Sequence, residues 1–492
     1  MSTDDWPLLK RQEWNNHQPI NKLPPELLSY IFVLYHYLGP ETRQNELGTK
    51  DITLSANSTL PMVCQYWRKL AINTTALWAF HYAGNYIPQE LTKTILSRAG
   101  NAAPLDIRIS IAHVADPSKG DMANTIEHYT KAASDSFALI LNNGGTASRW
   151  RSLWVDTNIY AAYLVILDLI RSTPMPSLQY LELSPMGISL DFPQDMQAWR
   201  EAHEETSPSP LLFCEPPTKL QHVSVSGIPN SCLFGDRSRP EARFTGLTHI
   251  AISFSGSYPN FSQLFEMLAA NLQLVRLSLD GRMAGGLTIP LDGPTYRPDL
   301  VLSNLESLSL TSLRQPWWAL FFVALLRGAM PNLAALRLGL MIEKEGDAPA
   351  FDLLFERIAH AADSTKPSFP SITSLSLGTS KSPGPSPEYL FTYYPRVTEL
   401  ILYENANEHL ELLLKRPWLL PQLSDLEVVL RDISKLKEVV EARCQDGLPL
   451  KSVVVYWEAE DIEIDQDDIE MLESLVDLVV FYPGETLCSP SY

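Results

Sequence analysis

The chain has 492 residues, 45% of them apolar, and a formal net charge of -19 from 57 acidic and 38 basic residues. This length suits several domains or one elongated array, and the acidic balance argues against general binding to nucleic acid or anionic lipid. The longest apolar run, residues 317–326, is about half as long as a bilayer span. Residues 1–14 lack the apolar core of a signal peptide. We therefore predict a soluble intracellular protein, cytoplasmic or nuclear, without nucleic-acid or membrane partners.

The first predicted element is a helix that begins near Pro24, in the sequence LPPELLSYIF of residues 23–32. Proline is tolerated in a first helical turn, and Glu26 complements the positive end of the helix dipole. The apolar residues that follow leave almost no polar face: Leu27, Leu28, Ile31, Phe32, Val33 and Leu34. A helix that is apolar all round has to be covered from two sides. We expect one of the two covers to be another protein.

A second helical element is predicted at residues 58–78, with Thr59 as its cap and Pro61 in its first turn. One apolar stripe at helical spacing consists of Leu60, Val63, Cys64, Trp67 and Leu70. Leu77 and Trp78 follow as an apolar plug. A unit of about 60 residues with so few helices has little core of its own, so it relies on a partner or an adjoining domain.

Residues 20–80 resemble the F-box motif, in the form common in fungal F-box proteins. The first helix of that motif is matched by Leu23, Pro24, Glu26, Leu27 and Ile31. Its V-C-x-x-W-R signature is matched by Val63, Cys64, Trp67 and Arg68, and its closing L-W by Leu77 and Trp78. The matches cover about an eighth of the chain and are specific as a set rather than one by one.

The resemblance implies a module that docks on the Skp-type adaptor of cullin–RING ubiquitin ligases, while the rest of the chain selects the substrate. One face of the first helix would pack on the Trp67 helix and the other on the adaptor. The adaptor-binding residues that the resemblance implies are Leu23, Pro24, Leu27, Leu28, Ile31, Phe32, Val63, Cys64, Trp67, Leu77 and Trp78.

From about residue 150 a six-residue pattern, apolar-x-x-apolar-x-apolar, recurs eleven times, mostly at steps of 25 to 31 residues. The copies start at Trp150, Leu178, Leu220, Leu247, Leu274, Leu305, Leu333, Ile372, Val397, Leu423 and Leu450. Alternation over the last positions of each copy predicts a short strand with one buried side.

Segments with helical spacing separate these strands, at residues 161–170, 261–270, 351–360, 408–416 and 436–444. Prolines end several of the helices two residues before the strand pattern, since proline cannot continue a helix: Pro176, Pro331, Pro370, Pro395 and Pro421. We predict an α/β fold, an irregular leucine-rich repeat solenoid with parallel strands and helices on its convex side. The alternative is a doubly wound α/β domain, which also alternates strands and helices.

In each predicted strand, the residue between the two final apolar positions points away from the core, toward the concave face of a solenoid. These residues are Trp154, Glu182, Ser224, Ala251, Ser278, Ser309, Arg337, Ser376, Ile401, Glu427 and Val454. The target-binding residues that we predict among them are Trp154, Glu182, Ser278, Ser309, Arg337 and Glu427. Predicted insertions lie at 184–219, 281–300 and 379–388.

Catalytic and metal motifs are missing from the sequence, which has no HExxH, zinc-spaced Cys/His cluster, GxSxG or Walker A pattern. The acidic segment from Glu458 lacks the glycine of a calcium loop. The five cysteines are far apart, which indicates reduced structural thiols. We expect no catalytic residue, no metal and no cofactor.

The predicted domains are an N-terminal tail (1–19), an F-box-like domain (20–80), a transition and capping region (81–149) and a leucine-rich-repeat-like domain (150–492). The predicted function is that of a non-enzymatic substrate-recognition subunit of a Skp–cullin–F-box type ubiquitin ligase. The chain would bind the adaptor and an unidentified target protein, and the adaptor would connect it to a cullin. One alternative is an adaptor-independent repeat scaffold whose N-terminal helices cap the solenoid, and another is a hydrolase with a doubly wound fold.

Overall fold

The computed structural model of the chain describes two compact α/β units, the first from residues 1–205 and 212–219 and the second from 206–211 and 220–492. The described residues are 10, 14–15, 17–38, 56–112, 122–185, 212–236, 239–240, 244–256, 258–284, 300–326, 329–341, 348–360, 367–379, 386–403, 406–457 and 466–481. The larger parts of the three predicted insertions lie outside them, as do residues 458–465 of the acidic segment and Cys488.

In the first unit, the helices α1 (Pro25–Leu38), α2 (Ala56–Val63) and α3 (Gln65–Asn73) precede the first strand. The single element predicted at residues 58–78 is wrong, because two helices meet at Cys64. The backbone of Cys64 is extended, and its Sγ accepts a hydrogen bond from the backbone N–H of Trp67 at 3.4 Å, which caps α3. Pro61 lies inside α2 rather than in a first turn, so Thr59 is not the cap.

The strands of the first unit are parallel and neighbour one another in chain order. They are β1 (Phe80–Gly84), β2 (Leu105–Ile111), β3 (Trp150–Thr157) and β4 (Tyr180–Pro185). The helices that alternate with them are α4 (Gln89–Ala99), α5 (Met122–Asn142) and α6 (Tyr160–Ser172). The strand-helix alternation therefore begins with β1 and β2, which precede the first predicted repeat at Trp150.

The second unit has ten parallel strands in its described part, and each pairs with its neighbours along the chain. They are β5 (His222–Pro229), β6 (His249–Gly256), β7 (Arg276–Ala284), β8 (Ser307–Leu313), β9 (Ala335–Leu340), β10 (Ser374–Thr379), β11 (Glu399–Leu402), β12 (Asp425–Leu430), β13 (Ser452–Trp457) and β14 (Asp477–Phe481). A doubly wound sheet reverses its strand order at a switch point. The ten strands show no reversal, which argues against that alternative.

Helices lie between most of these strands: α7 (Asn230–Phe234), α8 (Phe261–Ala269), α9 (Pro316–Leu325), α10 (Ala348–Ala359), α11 (Glu388–Tyr393), α12 (Ala406–Leu413), α13 (Ser434–Gln445) and α14 (Gln466–Glu473). Residues 235–236 and 239–240 form a short antiparallel pair. All eleven predicted strands and all five predicted helices are confirmed, with boundaries that differ by a few residues.

The core of each unit lies on the strand side that carries the repeated apolar residues. Leu277, Leu308 and Leu336 sit directly opposite one another on three successive strands, and all three are buried. Burying a leucine contributes roughly 1.5–3 kcal/mol. Because each leucine is covered by those of the adjoining strands, the core consists of contacts between strand-helix segments that follow one another along the chain.

Asn271, between α8 and β7, joins two successive strand-helix segments through its buried side-chain amide. Its Oδ1 accepts a hydrogen bond from the backbone N–H of Leu247 at 2.7 Å. Its Nδ2 donates to the backbone oxygens of Phe244 at 3.0 Å and Met267 at 2.7 Å. The side chain thereby satisfies three backbone groups, which a leucine at this position would leave without a partner.

His81 in β1 is a second buried polar residue, and we expect it to make the stability of the first unit sensitive to acid. Its side chain is fully buried, neither ring nitrogen has a hydrogen-bond partner in the described part of the chain, and burial lowers its pKa to about 4. The unfolded chain takes up this proton near pH 6.5, whereas the folded chain does not until about pH 4. The free energy of unfolding is therefore unaffected by His81 above pH 6.5. It decreases by about 3 kcal/mol as the pH falls toward 4.

We expect His81→Leu to reduce this loss, measured as the difference between the melting temperatures at pH 7 and pH 4.5. His81 is in register with the buried Ile107 of β2, and a leucine takes up no proton. The melting temperature of the variant should therefore fall less on acidification than that of the wild type. His128→Leu, at an exposed histidine of α5, is the control and should leave the difference unchanged. Equal acid sensitivity in the wild type and both variants would contradict the role of His81.

Candidate interaction surfaces

The N-terminal helices of the first unit are held together by the inward side of α1. Leu28 and Phe32 are buried on that side, and the ring centroid of Phe32 lies 4.8 Å from that of Trp67 in α3. The Thr74 hydroxyl, just after α3, lies 3.1 Å from the Ser29 hydroxyl. One long side of α1 is thus covered by α3 and the residue that follows it.

Two tryptophan indoles make further contacts in this part of the chain. The Nε1–H of Trp67 donates to Asn21 Oδ1 at 2.5 Å, and that of Trp78 donates to the backbone oxygen of Ala71 at 2.8 Å. The Arg98 guanidinium of α4 lies over the Trp78 ring, 4.4 Å from its centroid. Trp78 therefore links α3 to α4 and forms part of the core.

The outward side of α1 is apolar and exposed to solvent. Leu27 is 52% exposed and Ile31 is 40% exposed. With Leu34, which is also exposed, they follow helical spacing and lie one above the other as a stripe. Further exposed apolar residues of these helices and their flanks are Ile20, Tyr30, Tyr35, Met62, Val63 and Ile72. Exposed apolar patches of this kind mark interaction sites.

The eleven residues predicted to contact an adaptor divide into three groups by exposure. Pro24, Leu27, Ile31 and Val63 are exposed; Leu23, Cys64 and Trp67 are half-buried; Leu28, Phe32, Leu77 and Trp78 are buried. The last group packs the helices against one another. The exposed side chains of Tyr30 and Met62 were not among the sequence predictions.

The side of the strands opposite the leucine core, here called the outer strand face, carries the residues predicted to bind a target. In the first unit, Trp154 pairs in register with Glu182 on one side and Arg108 on the other. The Trp154 ring lies 5.0 Å from the ring of Tyr180, whose hydroxyl donates to Glu182 Oε2 at 2.6 Å. Burial, and next the charge of Glu182, raise the pKa of Tyr180, so it remains a hydrogen-bond donor at neutral pH.

Arg108 lies on the same face, and sequence analysis did not select it. Its Nε is 2.6 Å from Asp156 Oδ2, and its guanidinium lies over the Tyr82 ring at 5.4 Å from the centroid. Its neighbour Tyr82 is in register with it on β1. Together with Trp154 and Tyr180, these residues make the outer strand face of the first unit rich in aromatic and charged groups.

In the second unit, Ser278, Ser309 and Arg337 are paired in register on β7, β8 and β9. The Arg337 guanidinium lies over the ring of Tyr403, 4.8 Å from its centroid. Glu427 is in register with Ile401 and Val454. Burial is the main cause that raises the pKa of Glu427, the charge of Glu399 adds to it, and Arg337 opposes it.

The six residues predicted to bind a target thus lie on the outer strand faces, Trp154 and Glu182 in the first unit and Ser278, Ser309, Arg337 and Glu427 in the second. All six are half-buried between buried apolar neighbours, as the alternation predicts. Whether they contact a target stays a prediction.

The described residues contain no group of three or more His, Cys, Asp or Glu side chains placed to bind a metal ion. Four cysteines in these ranges are free thiols: Cys64, Cys214, Cys232 and Cys444. None of the described helices combines the length and the apolarity that crossing a bilayer requires. No family model matches the chain, and no curated protein matches it either.

Proposed function

We propose that the chain is a substrate-recognition subunit of a Skp–cullin–F-box type ubiquitin ligase, acting in the cytoplasm or nucleus. The observation that carries the proposal is the apolar stripe of Leu27, Ile31 and Leu34, which is exposed on a helix whose other side is already packed. This stripe lies within the residues that resemble an F-box. A Skp-type adaptor, which also binds a cullin, would bury this exposed stripe.

The remainder of the chain would be an irregular leucine-rich repeat solenoid that binds the target protein. The sequential parallel strands of each unit and a repeat spacing that is mostly 25 to 31 residues support this part of the proposal. The target would bind the outer strand faces, to which Trp154 contributes in the first unit and Arg337 and Glu427 in the second. The chain would contribute no catalytic group to ubiquitin transfer, only the proximity and orientation of a bound target.

The test is co-expression of the full chain with the Skp-type adaptor of the same organism, followed by size-exclusion chromatography. The proposal expects the two proteins to elute together as a complex. A folded chain that elutes without the adaptor at micromolar concentrations would remove the main support for the ubiquitin-ligase role.

The second candidate function is that of an adaptor-independent repeat scaffold whose N-terminal helices cap the strands. The link from Trp78 to Arg98 favours it, because this contact packs the helices onto the first strand-helix segment as a terminal cap would. A cap has no need of an exposed apolar stripe, however. Adaptor binding therefore discriminates between the two candidates.

A further inference from the structure

On the outer strand face, the last three described strands of the second unit carry acidic residues at their amino ends and apolar residues at their carboxyl ends. Three rows cross β12, β13 and β14 in register. From the amino end of the strands to the carboxyl end, the rows are Asp425, Ser452 and Asp477; then Glu427, Val454 and Val479; then Val429, Tyr456 and Phe481. Neighbouring strands are about 4.8 Å apart and successive rows about 7 Å apart. We call this block the terminal patch.

The carboxyl half of the terminal patch is apolar and partly exposed to solvent. The Tyr456 and Phe481 rings stack with their centroids 4.9 Å apart and their planes 9° from parallel. Val479 beside them is 42% exposed, and Val429, Val454, Tyr456 and Phe481 are half-buried. The stacked rings leave a flat apolar surface next to an exposed valine, to which an aromatic or aliphatic side chain can bind.

The amino half of the terminal patch is acidic. Asp425 is in register with Asp477 through Ser452, and Glu399 on β11 is in register with Asp425. In the described part of the chain, Glu399, Glu427 and Asp477 have no hydrogen-bonded or ion-paired side-chain partner. Arg337, whose charge opposes the rise in the pKa of Glu427, stacks on Tyr403 and forms no ion pair with a carboxylate of the described residues. The acidic groups are therefore open to cations from a partner.

We propose that the terminal patch binds a protein segment in which an aromatic or aliphatic residue lies next to lysine or arginine. The apolar side chain would cover Val479, Tyr456 and Phe481, and the cation would reach Glu427 or Asp477. This inference rests on the proposed function, in which the repeat face selects the target, and it names the chemistry of that target. The same carboxylates repel phosphate backbones and anionic lipid headgroups, so a basic protein segment is the occupant that the charges favour.

The experiment selects binders of the full-length chain from a phage-displayed library of short random peptides. The most enriched peptide is then synthesised with a fluorescent label, and its affinity is measured by fluorescence polarisation at several salt concentrations. We expect the enriched peptides to combine an aromatic or aliphatic residue with an adjacent lysine or arginine. Val479→Lys, which places a cation on the apolar half, should weaken binding at least about tenfold. Glu427→Gln should weaken it about threefold and reduce its dependence on salt.

Leu272→Lys is the matched control, because it makes the same change from an exposed apolar residue to lysine at another place in the second unit. It should leave peptide affinity unchanged, and the melting temperatures of all variants should stay near that of the wild type. The proposal is overturned if no peptide is enriched, if the enriched peptides lack the pairing of apolar and basic residues, or if Val479→Lys binds them as the wild type does.

Adaptor co-purification of Val479→Lys separates this inference from the proposed function. The variant should still bind the adaptor, since the substitution lies far along the chain from α1. Peptide binding without adaptor binding would contradict the ligase role and leave the terminal patch as a binding site. Adaptor binding without peptide binding would contradict only the inference about the patch.

Discussion

The double substitution Leu27→Asp with Ile31→Asp is expected to abolish co-purification of the chain with a Skp-type adaptor. Both side chains are exposed on α1, so the free protein should fold with an unchanged melting temperature. In a complex, each aspartate would be buried against apolar surface without a partner, at a cost of at least about 3 kcal/mol for the pair. That corresponds to more than about a hundredfold loss of affinity.

The matched control is Leu91→Asp on α4, where the leucine is 42% exposed but lies outside the F-box-like residues. It should bind the adaptor as well as the wild type does. Leu28→Asp is unsuitable, because Leu28 is fully buried and the substitution would unfold the helices. If the folded double variant and the wild type bind the adaptor equally, the stripe on α1 is not the docking surface.

The second large effect is expected at Asn271, where Asn271→Leu should lower the free energy of unfolding by about 3 kcal/mol. The leucine has a similar volume, but it leaves the N–H of Leu247 and the carbonyls of Phe244 and Met267 without their partner. A buried backbone group without a hydrogen bond costs about 1–3 kcal/mol. Urea unfolding monitored by circular dichroism would measure the change.

Asn332→Leu serves as the control for the removal of an asparagine. The Asn332 amide also donates to a backbone oxygen of an earlier segment, that of Ser303 at 2.8 Å, but it is exposed and water can replace it. We expect a loss of at most about 1 kcal/mol. Similar losses of unfolding free energy in the two variants would mean that the buried hydrogen bonds of Asn271 stabilise the fold no more than the exposed one of Asn332.

The strands from Trp150 to Trp457 could be predicted because each alternates apolar and polar residues after a leading apolar position. The same pattern fails for β1, where His81 and Ala83 occupy the two core positions that are leucine or valine in most other strands. It fails for β2 because Pro104 takes the leading position. The sequence LVDLVV from Leu475 does carry the pattern, so β14 was also predictable from the sequence.

The interaction surfaces were predictable to different extents. On the strands, the period of two fixes which side chain faces away from the core, and a shared pattern fixes the register, so the residues of one row could be named in advance. On α1, the apolar residues leave almost no polar side, so the sequence does not show that Phe32, next to Trp67, is buried while Ile31 is exposed. The break at Cys64 depends on a thiol acting as a helix cap, which the residue preferences for caps do not indicate.

The strand order of the second unit has a consequence for how such a chain changes over evolutionary time. Each described strand pairs only with its predecessor and its successor, so a duplicated strand-helix segment can be inserted without breaking any distant pairing. One duplication would widen the outer strand face by about 4.8 Å and add the outward side chains of one more strand. Natural selection can thus reshape the outer strand face of the second unit by adding or removing single strand-helix segments, while the N-terminal helices stay unchanged.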